Sequence, residues 1–387
     1  MNLSYWEKDA FFKAIDLAVI GSGIVGLSAA ISWTKRHPKS NVVVLERNIL
    51  PSGASTKNAG FACFGSPSEL IDDLKTDTEQ QVFALVQKRW EGLSKLRALT
   101  GDDAINFLPT GSYECFRAED DSLYIECRDQ LSYLNKQLKS AIGVDAVYKP
   151  TDEAIPKFGF KGIKHLIHNS SEGQLHTGKM MVRLLDVAKS LGITILNGAE
   201  VTAFEDGTNG VDIALKDNLV VNAAKVVVAT NGFARNLLPD KHVFPARNQI
   251  LVTSPIPDLS LKSCFFLDKG YVYFRNIGDR VLIGGARNLA FEEETTSEFG
   301  LTEKITSHLT SLLKHNLLPD SNFQIAHQWS GIMGVGPVKT PIVKKVSPNV
   351  VVAVRLGGMG VAIGVLVGEE GVECHLIPSP SPPGDGN

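Results

Sequence analysis

The sequence predicts an α/β protein, in which a Rossmann-like nucleotide-binding domain is interleaved with a second, α+β domain carrying an antiparallel sheet. Three observations predict it. An apolar run, Asp16-Leu17-Ala18-Val19-Ile20, leads straight into Gly21-Ser22-Gly23-Ile24-Val25-Gly26, a GxGxxG pattern. A second apolar run ends in Glu46, twenty residues past Gly26. Segments of nucleotide-binding character return in the middle and near the end of the chain, and segments of a different pattern lie between them.

Each part of the fingerprint has a physical reason. Gly21 permits the tight strand-to-helix turn, Gly23 lets the backbone approach a pyrophosphate, and Gly26 lets the helix pack on the strand. The free N–H groups at the helix start face the phosphates, and the helix dipole favours their charge. Val42-Val43-Val44-Leu45 reads as the second parallel strand, with Glu46 placed to accept hydrogen bonds from ribose hydroxyls. A bare GxGxxG also fits a glycine-rich turn in an ordinary α/β protein. The strand, helix, second strand and acid together provide the nucleotide-binding context.

The next elements follow in order. Residues 3–14 form a short aromatic segment expected to pack on the body as a helix. Ser66 or Ser68 reads as the N-cap of a helical region reaching about residue 99, with Val82, Leu85, Val86, Leu93 and Leu96 at helical spacing. A second helix covers roughly 120–141, with Leu131, Leu134 and Leu138 on one face. A third runs from Gly178 to Leu191 and stops at Gly192. Short strands are expected at Ile193–Leu196, Val201–Phe204, Val211–Leu215 and Val226–Ala229, the last running into Thr230-Asn231-Gly232.

Residues 247–286 read as antiparallel β, with strands Gln249–Thr253, Tyr271–Arg275 and Val281–Gly284 and a hairpin turn at Asn276–Asp279. A helix is expected near 301–317, after which glycines return densely from Gly331 to Gly371. The two expected units are 1–75, 172–245 and 326–375 for the nucleotide, and 76–171 and 246–325 for the substrate. Residues 376–387, rich in Pro, Ser and Gly, are expected to be a disordered tail.

Composition narrows the function classes. The chain has 387 residues, 43% hydrophobic and 21% charged, as in a soluble globular protein. A net charge of −3 gives no sign of a nucleic-acid partner. No apolar run approaches the roughly 20 residues of a membrane span, and the start does not read as a signal peptide. Five cysteines, with no CxxC, indicate neither zinc nor a disulfide framework, so a reducing, cytoplasmic setting is expected.

Four segments resemble one known family over residues from about 14 to 370. They are the fingerprint with Glu46-Arg47, Gly53-Ala54-Ser55-Thr56-Lys57-Asn58-Ala59-Gly60, Val226-Val227-Val228-Ala229-Thr230-Asn231-Gly232, and Gly357-Gly358-Met359-Gly360-Val361. The second resembles that family's Gly-Ala-Ser-x-x-Asn-x-Gly, and the fourth its late glycine cluster. The family is the flavin-dependent D-amino-acid oxidase superfamily, which includes glycine oxidase, sarcosine oxidase and γ-glutamylputrescine oxidase. The resemblance implies FAD as cofactor, with Glu46 on the ribose of its AMP half and backbone at Val201 near adenine. The resemblance also places Gly21, Gly23, Ile24, Val25, Gly26, Arg47, Ala54, Ser55, Thr56, Asn58, Ala59, Gly60, Ala229, Thr230, Gly232, Gly358, Met359, Gly360 and Val361 around the cofactor. No cysteine or histidine stands where relatives attach flavin covalently, which implies non-covalent FAD.

The implied reaction is oxidation of a C–N bond in a small amine or amino acid, hydride passing to the flavin. Relatives like glycine oxidase hold the substrate carboxylate with an arginine in a Trp-x-Gly-x-Arg-Pro segment. Here the segment is Trp329-Ser330-Gly331-Ile332-Met333-Gly334, with Met333 at the arginine position. Other candidates near the reacting centre are Arg355, before the late glycines, and Arg275, Arg287, Lys339, Tyr271 and Tyr273. Each of these also reads as an ordinary solvated or structural side chain. Cys63 reads as a buried inert thiol or as a neighbour of the ring. Sarcosine oxidase-like proteins carry a roof-strand lysine that helps oxygen react; Leu282 stands there in this chain, which leans toward a dehydrogenase with an unidentified acceptor.

Relatives also end in a helix packed on the first βαβ unit. Here Gly368-Glu369-Glu370-Gly371 runs into Val372-Glu373-Cys374-His375, so that end is expected to be shortened or altered, with apolar surface exposed and stability lowered. Alternative functions are an FAD-dependent 2-hydroxy-acid dehydrogenase, a flavin-binding protein with a lost active site, and an NAD(P) enzyme. The 53–60 loop argues against the last.

Overall fold

A computed structural model describes residues 3–216, 218–238 and 242–377. The expected tail from Pro378 lies outside the described residues. Two large sheets organise the chain. In the first, the strand order is Ile342–Ser347, Val350–Val354, Val220–Val228, Ile15–Ile20, Val42–Glu46, Thr194–Asn197, with Gly210–Leu215 and Val201–Gly207 added antiparallel beside Val220–Val228. The five strands from Val350–Val354 to Thr194–Asn197 are parallel to one another. The β-branched runs of Val350–Val354 and Val42–Glu46 are buried along their whole length, and the edge strand Thr194–Asn197 is only part-buried.

Helices cover one face of this sheet, and the strands Val201–Gly207 and Gly210–Leu215 with residues 234–238 cover the other. Ile24–Arg36, Thr177–Ser190 and Gly360–Leu376 share one core with Leu17, Val19, Val44 and Val227. Each fully buried Leu or Val there contributes roughly 1.5–3 kcal/mol over an exposed one. The opposite face buries Ala18, Ile20, Val43, Val226 and Val352.

The second sheet runs Ile325–Val335, Phe244–Thr253, Arg280–Gly285, Val272–Ile277, Cys264–Leu267, Ser112–Arg117, Ile163–Asn169, Tyr148–Pro150. It is antiparallel except where Cys264–Leu267 lies parallel to Ser112–Arg117. The expected hairpin is present, with Ile277 opposite Arg280 across the turn. One face packs on helix Glu303–Leu312 through Phe265, Phe274 and Ile283. The other face turns Ile250, Val252 and Leu282 toward Ala59, and so toward the 53–60 loop. Strand Ile325–Val335, just past the expected boundary at 325/326, belongs to this sheet.

Three expectations are corrected. The N-terminal helix Tyr5–Phe11 forms under a Ser4 capping box but buries no residue, and Trp6 is 75% exposed. The helix expected to reach 99 is two helices, Pro67–Asp73 and Glu79–Thr100, because Thr78 and Gln81 form a second capping box between them. The C-terminal helix is neither short nor displaced. Gly360–Leu376 packs on Ile24–Arg36 and on Glu79–Thr100, so the expected loss of cover does not occur.

The glycines that obscured this helix are its contact surface. A Cβ at Gly368 would lie 2.6 Å from Val25 O and 2.8 Å from Ala29 N, and one at Gly364 2.8 Å from Ile24 Cγ2.

Candidate functional site

The site begins at the end of strand Ile15–Ile20. Gly21 has φ +103°, where a Cβ would meet Ala229 O at 3.0 Å, and a Cβ at Gly26 would lie 1.9 Å from Gly21 O. These two glycines let strand, turn and helix close on one another. Helix Ile24–Arg36 starts without a side-chain cap or an acidic residue in its first turn, which leaves its positive end uncompensated. Glu46 is buried. Its carboxylate accepts hydrogen bonds from Ser22 N at 3.1 Å, Ser22 Oγ at 2.7 Å and Asn48 N at 3.1 Å.

The 53–60 loop folds back onto that helix end. Ser55 Oγ accepts from Ile24 N at 3.0 Å. Thr56 Oγ1 donates to Pro51 O, and Asn58 Nδ2 to Ser55 O, so these side chains shape the loop. Asn58 Oδ1 accepts from Gly60 N and Thr177 Oγ1, each at 2.9 Å. Trp329 Nε1 donates to Lys57 O at 3.0 Å, which ties the Trp-x-Gly segment to the loop.

One cavity of about 600 Å³ runs from this nucleotide end to the second sheet. Of the residues expected around a cofactor, it is lined by Gly21, Gly23, Ile24, Val25, Glu46, Arg47, Ala54, Ser55, Asn58, Ala59, Gly60, Val201, Ala229, Thr230, Gly358, Met359, Gly360 and Val361. Gly26, Thr56 and Gly232 do not line it. Gly232 instead lets the chain pass strand Ile325–Val335, since its Cβ would fall 2.5 Å from Met333 O. Thr230 Oγ1 is buried with no hydrogen-bond partner among the described residues.

The structure separates Tyr271 and Met333 from Arg275 and Arg355, four of the residues expected near the reacting centre. Tyr271 and Met333 line the cavity. Arg275 and Arg355 do not, and this corrects their expected place. Arg275 is buried, and its guanidinium donates to Ala59 O, to Leu175 O at 3.0 Å and to Gln174 Oε1 at 3.1 Å. Arg355 has φ +66° and donates to Thr340 O at 2.8 Å and His242 O at 3.2 Å. Both arginines brace backbone beside the cavity. A motif position marks neighbourhood in the chain, but side-chain direction depends on which carbonyls lie within reach.

Tyr273, Arg287, Lys339 and Cys63 also line the cavity. Lys339 is paired with Asp73 at 2.6 Å and Lys269 with Asp72 at 2.8 Å, across the outer end. Burial pushes the Cys63 thiol and the Tyr273 hydroxyl well above their usual ranges, so both stay protonated. Leu282 is buried with Ile250, Val252 and Ala59 and does not reach the cavity.

Sequence reasoning missed several lining residues. Asn248 sits between Tyr273 and Met333, with Nδ2 3.5 Å from Tyr273 Oη and 3.6 Å from Met333 Sδ, and its Oδ1 is buried without a partner among the described residues. Strand parity with Ile250 was the available signal. Phe266 lies on a strand that carried no turn signal. Phe233 stacks under Arg47, whose guanidinium carbon is 3.8 Å from the ring centroid. Among the described residues there is no cluster of acids, histidines and cysteines fit for a metal, and no helix is long and apolar enough to cross a membrane.

The geometry fits a dinucleotide cofactor. There is a helix N-terminus with no acidic residue in its first turn, an acid at the end of the second strand, an orphaned buried hydroxyl at Thr230, and glycines along the cavity wall. Comparison with known proteins agrees. The family model described as FAD dependent oxidoreductase, DAO, matches residues 16–373. The probable oxidoreductase OrdL of Haemophilus influenzae is 22% identical, over 93% of this chain and 83% of that protein. The structure of L-proline dehydrogenase from P. horikoshii matches with a TM-score of 0.75 at 19% identity, covering 93% of this chain and 92% of that one. Iminodiacetate oxidase from Chelativorans sp. BNC1 matches with a TM-score of 0.75 at 18% identity, covering 95% and 97%. At such identities the structural matches speak for the fold.

Proposed function

The chain belongs to the DAO family of FAD-dependent oxidoreductases, and from that premise we propose that it oxidises the C–N bond of a small amine or amino acid with non-covalently held FAD. Bound FAD supplies the hydride acceptor for the carbon beside the amine, leaving an imine. The single observation that carries this reading is the continuity of the cavity, from Gly21 and Glu46 to Tyr271, Tyr273 and Met333. A nucleotide cradle and a chamber of substrate size share one space.

The residues have distinct parts in this reading. Glu46 would accept from the ribose, the Val25 amide with the Ser55 hydroxyl would hold the pyrophosphate beside Ile24, and Val201 backbone would meet adenine. Thr230 would gain its missing partner. Backbone at Gly358–Val361 would approach the flavin ring, where N–H groups stabilise negative charge. Phe266, Ile250, Tyr273 and Met333 form a mostly apolar roof that excludes water. Tyr273, held protonated by burial, orients the amine and is no base. Leu282, where some relatives have lysine, favours an acceptor other than oxygen.

The test is anaerobic mixing of the yellow holoprotein with panels of amines, D- and L-amino acids and 2-hydroxy acids, watching the flavin bleach. Bleaching by amines or amino acids is expected. A colourless preparation that binds NADH, or bleaching by 2-hydroxy acids alone, would overturn the reading. Fast peroxide release in air would overturn the assignment of a non-oxygen acceptor.

A further inference from the structure

Five basic side chains line the cavity: Arg47, Lys57, Lys269, Arg287 and Lys339. Lys269 and Lys339 are neutralised by Asp72 and Asp73. Arg47 stacks on Phe233 beside Glu46, at the nucleotide end. Lys57 reaches over the Phe299 ring at 5.1 Å. Among the described residues Arg47, Lys57 and Arg287 alike have no carboxylate within ion-pair distance and no side-chain hydrogen-bond acceptor. Arg287 differs in place: it stands at the Tyr271 end of the second sheet, its guanidinium over Phe291, 4.7 Å from the ring centroid. Burial holds it below the usual arginine range, only partly offset by the more distant Glu294 and by Tyr271.

Its position is set by the sheet. Gln249 pairs with Gly285, so Asn248 and Arg287 leave the same end of neighbouring strands. Ala286 N donates to Tyr271 O at 2.7 Å, which draws Tyr271 to that end too. Tyr271 and Phe291 meet edge to face at 5.8 Å, forming an aromatic sleeve beside the guanidinium. A partly buried guanidinium without an anion is unfavourable, and its planar fork matches a carboxylate in two parallel hydrogen bonds. The position that carries the clamp in simpler relatives is occupied here by Met333, an apolar side chain whose Sδ would lie 3.3 Å from a Cβ on Gly358.

We infer that Arg287 is the carboxylate anchor of this cavity, so that the substrate is an amine bearing a carboxylate, held from the Tyr271 corner of the sheet. This rests on the proposed C–N oxidation for the substrate's identity. The anion site itself stands on the geometry of Arg287.

The test uses the holoenzyme and two probes, pyrrole-2-carboxylate and pyrrole, titrated by the change in flavin absorbance and by calorimetry. Wild type is expected to bind the acid and not pyrrole. Arg287→Ala should weaken acid binding on the order of a hundredfold, and Arg287→Lys should fall between, having lost the fork. Flavin content and melting temperature should match wild type in Arg287→Lys, which serves if the alanine variant folds poorly. Acid binding unchanged in both variants would overturn the inference, as would loss of binding in Lys57→Met alone. If no amine or amino acid bleaches the flavin while Arg287 still governs acid binding, the reaction reading fails and the anchor stands.

Discussion

Ser55 Oγ and Gly23 lie so close that a Cβ on Gly23 would sit 2.8 Å from that oxygen, while the same oxygen accepts from Ile24 N at 3.0 Å. A hydroxyl from the 53–60 loop therefore occupies the mouth of the helix, and the glycine exists to admit it. Gly23→Ala is expected to push the loop off the helix. Flavin affinity should fall about tenfold or more, as when a charged hydrogen-bond partner is lost. Ser55→Ala alone should cost less, and the double variant should recover part of the loss of Gly23→Ala. Flavin-to-protein ratios after dialysis check this; a double variant worse than the sum of the singles would refute the steric account.

The nucleotide half was the most legible part of the sequence, for a physical reason. Gly21, Gly26 and Glu46 act through backbone space and a strand end, and both follow from spacing alone. The substrate half was less legible. Arg275 and Arg355 stand at informative positions, yet they are held by backbone carbonyls 100 and 15 residues away, at Leu175 and Thr340. Nothing in local pattern announces such partners. The C-terminal helix was misread because Gly368 and Gly371 look like breakers, when close contact with Val25 and Ala29 at the first and with Ala353 at the second is what they serve.

Heat or acid should release all flavin into the supernatant. The cavity's cysteine, Cys63, is buried and its thiol is pushed well above the usual range, so it lacks the thiolate a covalent link would need. Colour that stays with precipitated protein would contradict this, and Cys63→Ala would then show whether that residue holds it.

Stability should fall as pH rises from about 4.5 to about 7. Glu114 and Glu172 are fully buried, and burial raises both carboxyls from 4.5 to about 7. Glu114 accepts from Ser66 Oγ and Ser68 N, each at 3.1 Å, and Glu172 from Phe64 N at 2.8 Å and Ser112 Oγ at 2.6 Å. These bonds favour ionisation but do not outweigh desolvation. The folded state thus keeps protons that the unfolded chain releases. The contribution is complete below about pH 4.5 and lost as pH passes about 7, with a slope near 1.4 kcal/mol per pH unit for each group. His375 works the other way. Burial lowers it to about 4, so its contribution is present above its ordinary 6.5 and lost as pH falls through about 4. Melting temperature against pH should therefore show the two-carboxyl slope from about 6.5 to 7 and a reduced slope below it. Glu114→Gln with Glu172→Gln should flatten the upper part. An unchanged profile in that pair would remove these groups as its origin.

Gly368→Ala should be far more damaging than Gly364→Ala, although both are single methyl additions to one helix. At Gly368 the new carbon meets backbone, Val25 O at 2.6 Å and Ala29 N at 2.8 Å; at Gly364 it meets the side-chain methyl of Ile24 at 2.8 Å. A rotamer change relieves the second clash, and only separation of two helices relieves the first. Helix propensity favours alanine at both sites by about 1 kcal/mol, so any net loss reports packing. Gly368→Ala is expected to cost about 1–3 kcal/mol net, and Gly364→Ala to be near neutral. Because Val25 lies in the first turn of the nucleotide-binding helix, Gly368→Ala should also weaken flavin retention at a distance from the cofactor. Equal melting temperatures and flavin contents in the two variants would mean that Gly360–Leu376 does not seat against Ile24–Arg36 in this way.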